Sequence, residues 1–224
     1  MPNHITNKFT PVGKEEAVLE FLKQVSTDDR AIDFNKIVEM PESLQVEDSS
    51  LGDLGLFHLY GMKRHGYYPL SDGELFRRFE ELSEEMKIEA DKIGKAYKSN
   101  MEEHGYRTWY DWANDNWGTK WNAYSTRVED DSIYFDTAWS GVPDLICKLS
   151  LKFPDLGFEY SWADEDTGSN TGRMKIYNGE IVEDTSPENS SKEAYELAFE
   201  LTDAKKYYAW NEEAGQYEYV EDEE

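Results

Sequence analysis

The sequence predicts an α+β protein built on an antiparallel sheet with helices on one face. Some segments alternate apolar and polar residues, as half-buried strands do. Others repeat apolar residues every three or four positions, as amphipathic helices do. The Asn178-Gly179 pair lies between two short apolar runs and predicts a hairpin, because both central residues of a type I′ turn need positive φ.

The N-terminal part predicts a strand, a helix and a second strand. Apolar residues alternate over residues 3–10 and then follow helical spacing over residues 14–25. Residues 32–40 carry another apolar run that stops at Pro41, which has no backbone N–H to donate to a sheet. We therefore expect a second strand in this region.

A mostly helical insertion is expected over residues 42–112. Glycines cut residues 42–72 into short pieces, which predicts an irregular connection. Residues 73–104 repeat apolar side chains in steps of four and three and predict one long helix, with Gly94 as its weak point. Residues 106–124 hold four of the seven tryptophans, a density that suits either a packed core or a ligand surface.

The second half of the chain predicts most of the sheet. Strands are expected near residues 119–127, 132–139, 156–162 and 172–177, with a helix over residues 142–151. This helix and the helix near the N-terminus are expected on the same face. The sheet, the two helices and the insertion together form a predicted core over residues 1–182.

A C-terminal extension is expected over residues 183–224. Ser190-Ser191 precedes a helical pattern over residues 192–203, and serine is a favoured N-cap residue. An aromatic-rich hairpin and an acidic tail follow. The predicted architecture is therefore a sheet core with a long helical insertion and a terminal helix and hairpin.

Charge is the most unusual global property. The chain has 48 acidic and 23 basic side chains, a formal net charge of −25, and residues 129–224 alone hold 25 acidic and 7 basic groups. Such a field attracts basic partners and repels nucleic acid and anionic lipid, over about 8–10 Å at physiological salt. We expect no direct binding to nucleic acid or membranes. Acidity that serves only solubility is the alternative.

Other motifs exclude several classes of protein. The single cysteine, Cys147, cannot form an internal disulfide, and no run of eighteen apolar residues is present. The sequence has no glycine-rich phosphate loop, dinucleotide fingerprint or Gly-x-Ser-x-Gly motif. We therefore expect a cytoplasmic protein without a cofactor.

Four separated segments resemble proteins of the YubB-like family: MPNHITN at residues 1–7, MPESL at 40–44, NWGTKWNAY at 116–124 and FDTAWS at 135–140. The resemblance implies a ferredoxin-like α+β core and an origin on a bacterial plasmid or phage. It implies no established reaction. Gly141-Val142 departs from the proline-rich sequence expected after Ser140.

The first functional hypothesis is a non-enzymatic interaction protein of a mobile element. It would occupy the basic nucleic-acid groove of a host defence protein by presenting carboxylates in place of phosphates, and so inhibit it. The candidate partner-binding residues are Asp155, Glu159, Asp164, Glu165, Asp166, Glu180, Glu183 and Asp184.

The second hypothesis is a small-ligand or nucleotide-binding module. Aromatic faces beside an ammonium group can hold a planar or anionic ligand. The candidate pocket residues are Trp117, Lys120, Trp121, Asp136 and Trp139. The same tryptophans can equally be core residues.

Metal binding and catalysis are not expected. The loop 164–170 places oxygen-bearing side chains at alternating positions, but Gly168 takes the fifth position of a calcium loop and Lys175 stands where its bidentate glutamate belongs. The four histidines match no zinc motif. Ser140 has no histidine near it in the sequence to activate it as a nucleophile.

Overall fold

The computed structural model describes residues 2–63 and 70–220, and the chain divides into two compact units. We call Met1–Glu39 with Asn116–Glu224 the sheet unit, and Met40–Asp115 the helical unit. The strands are, in chain order, β1 (His4–Val12), β2 (Tyr124–Glu129), β3 (Ser132–Ala138), β4 (Gly157–Asp164), β5 (Gly172–Tyr177), β6 (Glu180–Asp184), β7 (Tyr208–Asn211) and β8 (Gln216–Tyr219).

The helices among the described residues follow the same chain order. They are α1 (Glu15–Val25), α2 (Phe34–Ile37), α3 (Ser50–Tyr60), α4 (Asp72–Glu80), α5 (Glu84–His104), α6 (Trp109–Trp117), α7 (Pro143–Ser150) and α8 (Lys192–Leu201). Glu42–Leu44 and Asp203–Tyr207 form short 3₁₀ helices.

The sheet unit has the ferredoxin-like β-α-β-β-α-β arrangement, with α1 and α7 as its two helices. Six strands lie in the order β2-β3-β1-β4-β5-β6, and every neighbouring pair is antiparallel. The first four of these strands form the ferredoxin-like core, which β5 and β6 extend at the β4 edge. The predicted α+β, ferredoxin-like fold class is confirmed.

One face of the sheet carries the apolar core beneath α1 and α7. Side chains alternate along β1, so Ile5 and Phe9 are fully buried while Lys8 between them is only half-buried. The Phe9 ring stacks on Phe158 at 5.0 Å and meets Phe21 of α1 edge-on at 5.8 Å. The amide of Val142, which precedes α7, donates to the hydroxyl of Tyr160 on the same side of β4 as Phe158, so the two helices lie on one face, as expected.

The C-terminal helix α8 lies on the opposite face. Its residues Leu197, Ala198 and Leu201 are buried against Ala163. Because side chains alternate along β4, Ala163 lies on the same face as Glu159 and Ser161. The terminal hairpin β7–β8 contacts α8 through its rings, and Tyr217 lies 5.3 Å from Tyr195. The predicted terminal helix and hairpin are both present, and α8 leaves part of this sheet face open.

The expected second strand over residues 32–40 is wrong, because Phe34–Ile37 form the short helix α2. The Asp33 carboxylate caps this helix by accepting from the Asn35 amide at 2.9 Å, and it also accepts from Asn122 Nδ2 at 2.7 Å. Asp33, a residue type favoured at helix N-caps, is the local sequence signal for α2. The apolar pattern over residues 32–40 favoured a strand and hid this signal.

The irregular connection expected over residues 42–72 is wrong, because residues 50–60 form the helix α3 of the helical unit. Its helix α3 is capped by Ser49, which accepts from the Gly52 amide, and ends at Gly61 with φ 65°. Residues 64–69 lie outside the described part of the chain. Gly52 and Gly55, two of the glycines that suggested interruptions, are buried within α3, where the absence of a side chain permits close helix packing.

The single long helix expected over residues 73–104 is two helices, α4 and α5. Ser83 separates them and caps α5 by accepting from the Met86 amide at 3.3 Å. Helix α5 continues through Gly94, because that glycine lies against α3 and does not mark a break.

A buried arginine ties the helical unit together. Arg107 is 6% exposed, forms ion pairs with Asp48, Asp53 and Asp111, and lies 5.3 Å above the ring of Tyr97. The carboxylates come from the start of α3 and from α6, while the ring comes from α5. This contact network offsets the cost of burying the charge.

Candidate binding site at one end of the sheet

Four strand ends converge at one end of the sheet. His4, the first residue of β1, pairs with Ala138 at the end of β3, and Ile5 pairs with Asp164 at the end of β4. Tyr124, the first residue of β2, pairs with Asp136. Side chains that are far apart in the sequence are therefore neighbours here.

Trp139, which directly follows β3, has an unusual conformation. Its φ is 70° and its side chain is an exposed large hydrophobic residue at 44%. A bulky residue rarely adopts this left-handed region, which costs on the order of 1–3 kcal/mol. The surrounding structure must stabilise this conformation.

Two asparagines hold the Trp139 backbone from opposite sides. The Trp139 amide donates to the Asn3 carbonyl at 2.9 Å, and Asn170 Nδ2 donates to the Trp139 carbonyl at 3.0 Å. Asn170 has φ 45° and also donates to Asp164 at 3.0 Å. The exposed indole is therefore fixed by the N-terminus and by the loop after β4.

A buried hydrogen-bond network supports the same loop from inside. Tyr160 donates to Asn7 at 2.6 Å and accepts from the Val142 amide at 2.7 Å. Asn7 donates to Thr137 at 2.9 Å, and Thr137 donates to the Ser140 carbonyl at 2.6 Å. Burial raises the pKa of Tyr160, so its hydroxyl stays protonated as the donor. The residues on both sides of Trp139 are thus anchored in the core.

Lys120 lies between two indoles. Its ammonium nitrogen is 4.5 Å from the ring centroid of Trp121 and 5.2 Å from that of Trp139. Trp121 in turn meets the Tyr124 ring edge-on at 6.2 Å. Both ring faces can therefore hold a cation.

Tyr124 links the aromatic group to the N-terminal strand. Its hydroxyl donates to the Thr137 carbonyl at 3.1 Å, so His4 Nδ1 is the donor in the 2.7 Å bond between His4 and this hydroxyl. Burial raises the pKa of Tyr124 to about 12, and the negative charges of Asp136 and Glu165 act in the same direction.

The acidic loop after β4 completes this site. The Glu165 amide donates to the His4 carbonyl at 2.9 Å, and the Glu165 and Asp166 side chains are exposed. We call the following set the sheet-end corner: His4, Lys120, Trp121, Tyr124, Asp136, Trp139, Glu165 and Asp166. It unites the aromatic and acidic residues that the sequence suggested for two separate sites.

Trp117 does not belong to this surface. It is 4% exposed, its Nε1 donates to the Val38 carbonyl at 2.9 Å, and its ring meets Phe34 edge-on at 5.9 Å. The prediction that Trp117 lines a ligand pocket is therefore wrong, because its indole is a packing anchor of the sheet unit.

Asp164 is likewise unavailable to a partner. It is 6% exposed and accepts three hydrogen bonds, from Asn3 Nδ2 at 3.0 Å, from the Asp166 amide at 2.9 Å and from Asn170. Its carboxylate shapes the loop that presents its neighbours. The nomination of Asp164 as a partner-binding residue is corrected accordingly.

The other nominated carboxylates do not join the corner. Asp155 and Glu180 lie near the opposite end of the sheet, where Gly157 pairs with Tyr177 and Tyr177 with Glu180. The eight residues of β4 place about 25 Å between the two ends. The set is therefore not one continuous acidic surface.

Three further nominated carboxylates lie between these ends. Glu159 and Glu183 flank Lys175 on the open sheet face, and Glu183 forms an ion pair with Lys175 at 2.8 Å. Hydrogen bonds from the Ser186 hydroxyl and from the Ser186 amide, the latter at 2.9 Å, lower the pKa of Asp184. Part of their charge is thus compensated within the sheet.

Sequence reasoning missed the residues that position the corner. His4, Asn3 and Asn170 carry no local motif, and their contacts with the corner span 31 to 161 positions of sequence. Ser140 is accounted for structurally, since its hydroxyl donates to the Gly118 carbonyl at 2.6 Å. In residues 2–63 and 70–220, no group of three or more His, Cys, Asp or Glu is placed to hold a metal ion.

Two comparisons with known proteins gave a match. Residues 116–219 match the family model described as "Ferredoxin-like domain in Api92-like protein". Among solved structures, the crystal structure of a protein api92 from Yersinia pseudotuberculosis is similar at 10% sequence identity and a TM-score of 0.42. That match covers 84% of this chain and 99% of the other. No curated protein matches the chain.

The resemblance to the YubB-like family is wrong, because the family model that matches is the Api92-like one. Many residues that carried the resemblance are core residues, among them Trp117, Phe135 and Ala138, which are all at most 4% exposed. Such residues report how a sheet is packed and discriminate poorly between families. The origin on a plasmid or phage was implied by that resemblance alone.

No helix in the described part of the chain combines the length and the apolar character needed to span a bilayer.

Proposed function

We propose that this chain is a non-enzymatic binding protein that engages a basic protein through the sheet-end corner. The observation that carries the proposal is the exposed Trp139 indole, held in a strained backbone conformation at the same end of the sheet as the acidic residues Glu165 and Asp166. Strain of this kind persists where the surrounding structure over-determines it, and it concentrates at functional sites. We also propose a cytoplasmic location, which the single cysteine supports.

Charge supports a basic partner. The sheet unit holds 32 acidic and 14 basic side chains, a net charge of −18, whereas the helical unit holds 16 and 9, a net charge of −7. The field of the sheet unit steers cationic surfaces towards it. A partner rich in lysine or arginine therefore meets both long-range attraction and exposed carboxylates.

The chemistry of the corner favours arginine. A guanidinium group stacks on an indole face and donates two parallel hydrogen bonds to a carboxylate, which an ammonium group cannot do. Trp139 supplies an indole that already holds the Lys120 ammonium at 5.2 Å. Glu165 and Asp166 supply the carboxylates.

Competition with nucleic acid follows from the same contacts. Proteins that bind nucleic acid present lysine and arginine to phosphates, and their affinity depends on counterion release. A folded set of carboxylates can occupy those basic groups instead. We therefore extend the proposal to a partner that binds nucleic acid.

The experiment uses isothermal titration of the full chain with an arginine-glycine peptide and the matching lysine-glycine peptide, at low and physiological salt. Changing Glu165→Gln together with Asp166→Asn should weaken binding several-fold at low salt, and the difference should shrink as salt rises. Trp139→Ala should abolish the preference for arginine over lysine. The matched control is Glu84→Gln with Glu85→Gln, two exposed acids on α5.

Equal weakening by the control pair would mean that only bulk charge matters, and the proposed site would fail. The chain should also release labelled DNA from the arginine peptide when it is added to their complex. Fluorescence anisotropy of the labelled DNA measures this release. Failure to displace it would remove the competition with nucleic acid and leave the basic-partner proposal standing.

A second candidate is a planar anionic ligand that stacks on Trp139 and pairs with Lys120. The arrangement of Lys120 between two indoles favours it. Binding of such a ligand should change little with salt and should be lost in Lys120→Met. The basic peptide should still bind that variant.

A further inference from the structure

The outer strand β6 forms an open edge of the six-stranded sheet. Within residues 2–63 and 70–220, β6 pairs only with β5, and all five of its residues are exposed. A strand in this position presents a row of backbone N–H and C=O groups along its outer side, which is a template for one more strand. The edge is therefore a candidate docking surface, and none of its residues belongs to the sheet-end corner.

The other outer strand, β2, differs from β6 because residues outside the sheet bind to it. The Ala31 amide donates to the Thr126 hydroxyl at 2.8 Å, and Arg30 Nε donates to the Ala123 carbonyl, directly before β2, at 3.2 Å. Covering an edge with a loop is one way in which proteins protect it. No residue of α1, α2 or the segment between them binds β6 in the described part of the chain, so β6 is the more open edge.

The two faces of the β6 edge differ in character. Ile181 pairs with the buried Ile176, so it lies on the face that carries α1 and α7, and it is 43% exposed. Glu183 pairs with Lys175, and Glu180 pairs two residues farther along β5, so both carboxylates lie on the opposite face. An added strand therefore meets an apolar side chain on one face and carboxylates on the other.

Further apolar side chains are exposed along this edge. Val182, the extra residue of a bulge between Ile181 and Glu183, is 60% exposed. Leu151 is 59% exposed and lies against the β5–β6 turn, where its side chain would be 2.6 Å from a Cβ on Gly179. A strand added to the edge removes part of this apolar surface from water, which favours binding.

Charge determines the kind of strand that fits. Residues 176–191 hold four acidic and no basic side chains. Lys175 forms an ion pair with Glu183 at 2.8 Å, whereas Glu180 on the same face has no ion pair with any residue that the structure describes. A lysine or arginine on the added strand supplies this cation, and opposite charges on neighbouring strands stabilise their pairing.

A second copy of the chain does not fit this edge. Antiparallel pairing of two β6 strands about Val182 places Glu180 of one copy opposite Asp184 of the other. Pairing about the bond between Ile181 and Val182 places Glu180 opposite Glu183. Like charges directly opposite each other destabilise a strand pair. The edge therefore disfavours self-association and selects a basic partner.

We propose that β6 binds an extended basic segment of a partner protein as a seventh strand, in which cationic residues alternate with β-branched apolar residues. The cations face Glu180 and Glu183 and the apolar residues face Ile181, because successive side chains of a strand point to opposite faces. Main-chain hydrogen bonds supply affinity and the alternation supplies specificity, as in other cases of strand addition. This surface and binding mode are independent of the sheet-end corner.

The test uses the full chain and an acetylated, amidated peptide of three Lys-Val repeats, followed by amide chemical shifts and hydrogen exchange at low salt. The peptide should shift the amides of residues 180–184 and slow the exchange of those that β5 does not bind. A peptide of the order Lys-Lys-Lys-Val-Val-Val has the same charge and should bind at least about threefold more weakly. The repeat peptide with proline in place of its second valine should be weakened likewise, since proline interrupts a ladder.

Variants of the chain test the carboxylates. Glu180→Gln with Glu183→Gln should weaken the repeat peptide about threefold or more at low salt, and less as salt rises. The matched control at the β2 edge is Glu129→Gln with Asp131→Asn, which should bind nearly as wild type does. Each pair combines one acid in an exposed ion pair with one that has none among the described residues.

Three results of the peptide titrations would overturn the proposal: no binding at millimolar peptide, equal binding of the reordered peptide, or shifts confined to residues outside β5 and β6. Equal weakening by the control pair would reduce the effect to bulk charge and overturn it as well. The corner variant, Glu165→Gln with Asp166→Asn, should retain the peptide. Loss of binding in that variant would place the peptide at the sheet-end corner and not at β6, whereas failure of the corner itself leaves the β6 result unchanged.

Discussion

Gly94 of α5 lies so close to Gly55 of α3 that neither position has room for a methyl group. A Cβ on Gly94 would lie 2.8 Å from the Gly55 carbonyl oxygen, and a Cβ on Gly55 would overlap the Ala90 carbonyl. The two helix backbones are therefore in direct contact, and both clashes are with backbone atoms that cannot rotate away.

We predict that Gly94→Ala destabilises the helical unit, although alanine is the better helix former. Overpacking should lower the free energy of unfolding by at least about 1–3 kcal/mol. Gly73→Ala in α4 is the matched control, because nothing lies within 4 Å of its added Cβ. The control should be neutral or stabilising by up to about 1 kcal/mol in urea denaturation. Equal stability of the two variants would contradict the direct contact between the backbones of α3 and α5.

Replacing Trp139 with glycine should leave stability unchanged or raise it by up to about 1 kcal/mol. Glycine adopts the left-handed conformation without strain, and Trp139 is 44% exposed, so its loss removes less buried surface than the loss of a core residue. Trp117→Ala should instead cost about 3–5 kcal/mol, because its indole is buried in the core. Denaturation followed by circular dichroism measures both, and similar losses would contradict the distinction between them.

Arg107→Met should cost about 3–5 kcal/mol and unfold the helical unit first. The variant keeps most of the side-chain volume but removes the cation shared by Asp48, Asp53 and Asp111. Hydrogen exchange of α3 and α5 amides reports the local unfolding. Arg127→Met is the control, since its ion pair with Glu129 is exposed and should contribute less than about 1 kcal/mol. A comparable loss in the control would argue against the buried network.

Stability should fall as the pH rises from 10 to 12. Tyr124 has a pKa of about 12 in the folded protein and near 10 when unfolded, so over this interval the unfolded state loses a proton that the folded state keeps. The contribution is fully present below pH 10 and is lost as pH rises through 12. Tyr160, whose pKa is also raised by burial, acts in the same direction.

The measurement is the thermal midpoint of wild type and Tyr124→Phe across this interval. The variant should lose less stability than wild type on going from pH 10 to pH 12. Tyr219→Phe is the control, because that ring is 63% exposed, and it should follow wild type. Parallel curves for all three proteins would refute the assignment.

The sheet was largely predictable because its signals are local. The alternation that ends in Trp162 marks β4, and Asn178 and Gly179 indeed have φ of 48° and 84° in the β5–β6 turn. Helix α3 was not predictable, because a glycine that packs against another helix looks the same in sequence as one that ends a helix. For Gly55, only its contact with the Ala90 backbone shows that it packs against α5 and does not end α3.

The candidate site was also predictable only in part from the sequence. Lys120, Trp121 and Trp139 were found because aromatic and charged side chains cluster in sequence. Their conjunction with Glu165 depends on strand register, and the exposed conformation of Trp139 depends on Asn3 and Asn170. No single-sequence pattern reports contacts of this range, and for the same reason the burial of Trp117 and Asp164 was missed.

The hydrogen bond from the Trp117 indole to the Val38 carbonyl connects two residues that are 79 positions apart in sequence. It joins the points where the polypeptide leaves the sheet unit and returns to it. Since the entropy of closing a flexible loop grows only with the logarithm of its length, a doubling costs about 0.6 kcal/mol. The sheet unit therefore tolerates large insertions or deletions between these two residues, and we expect homologues to vary most in length there.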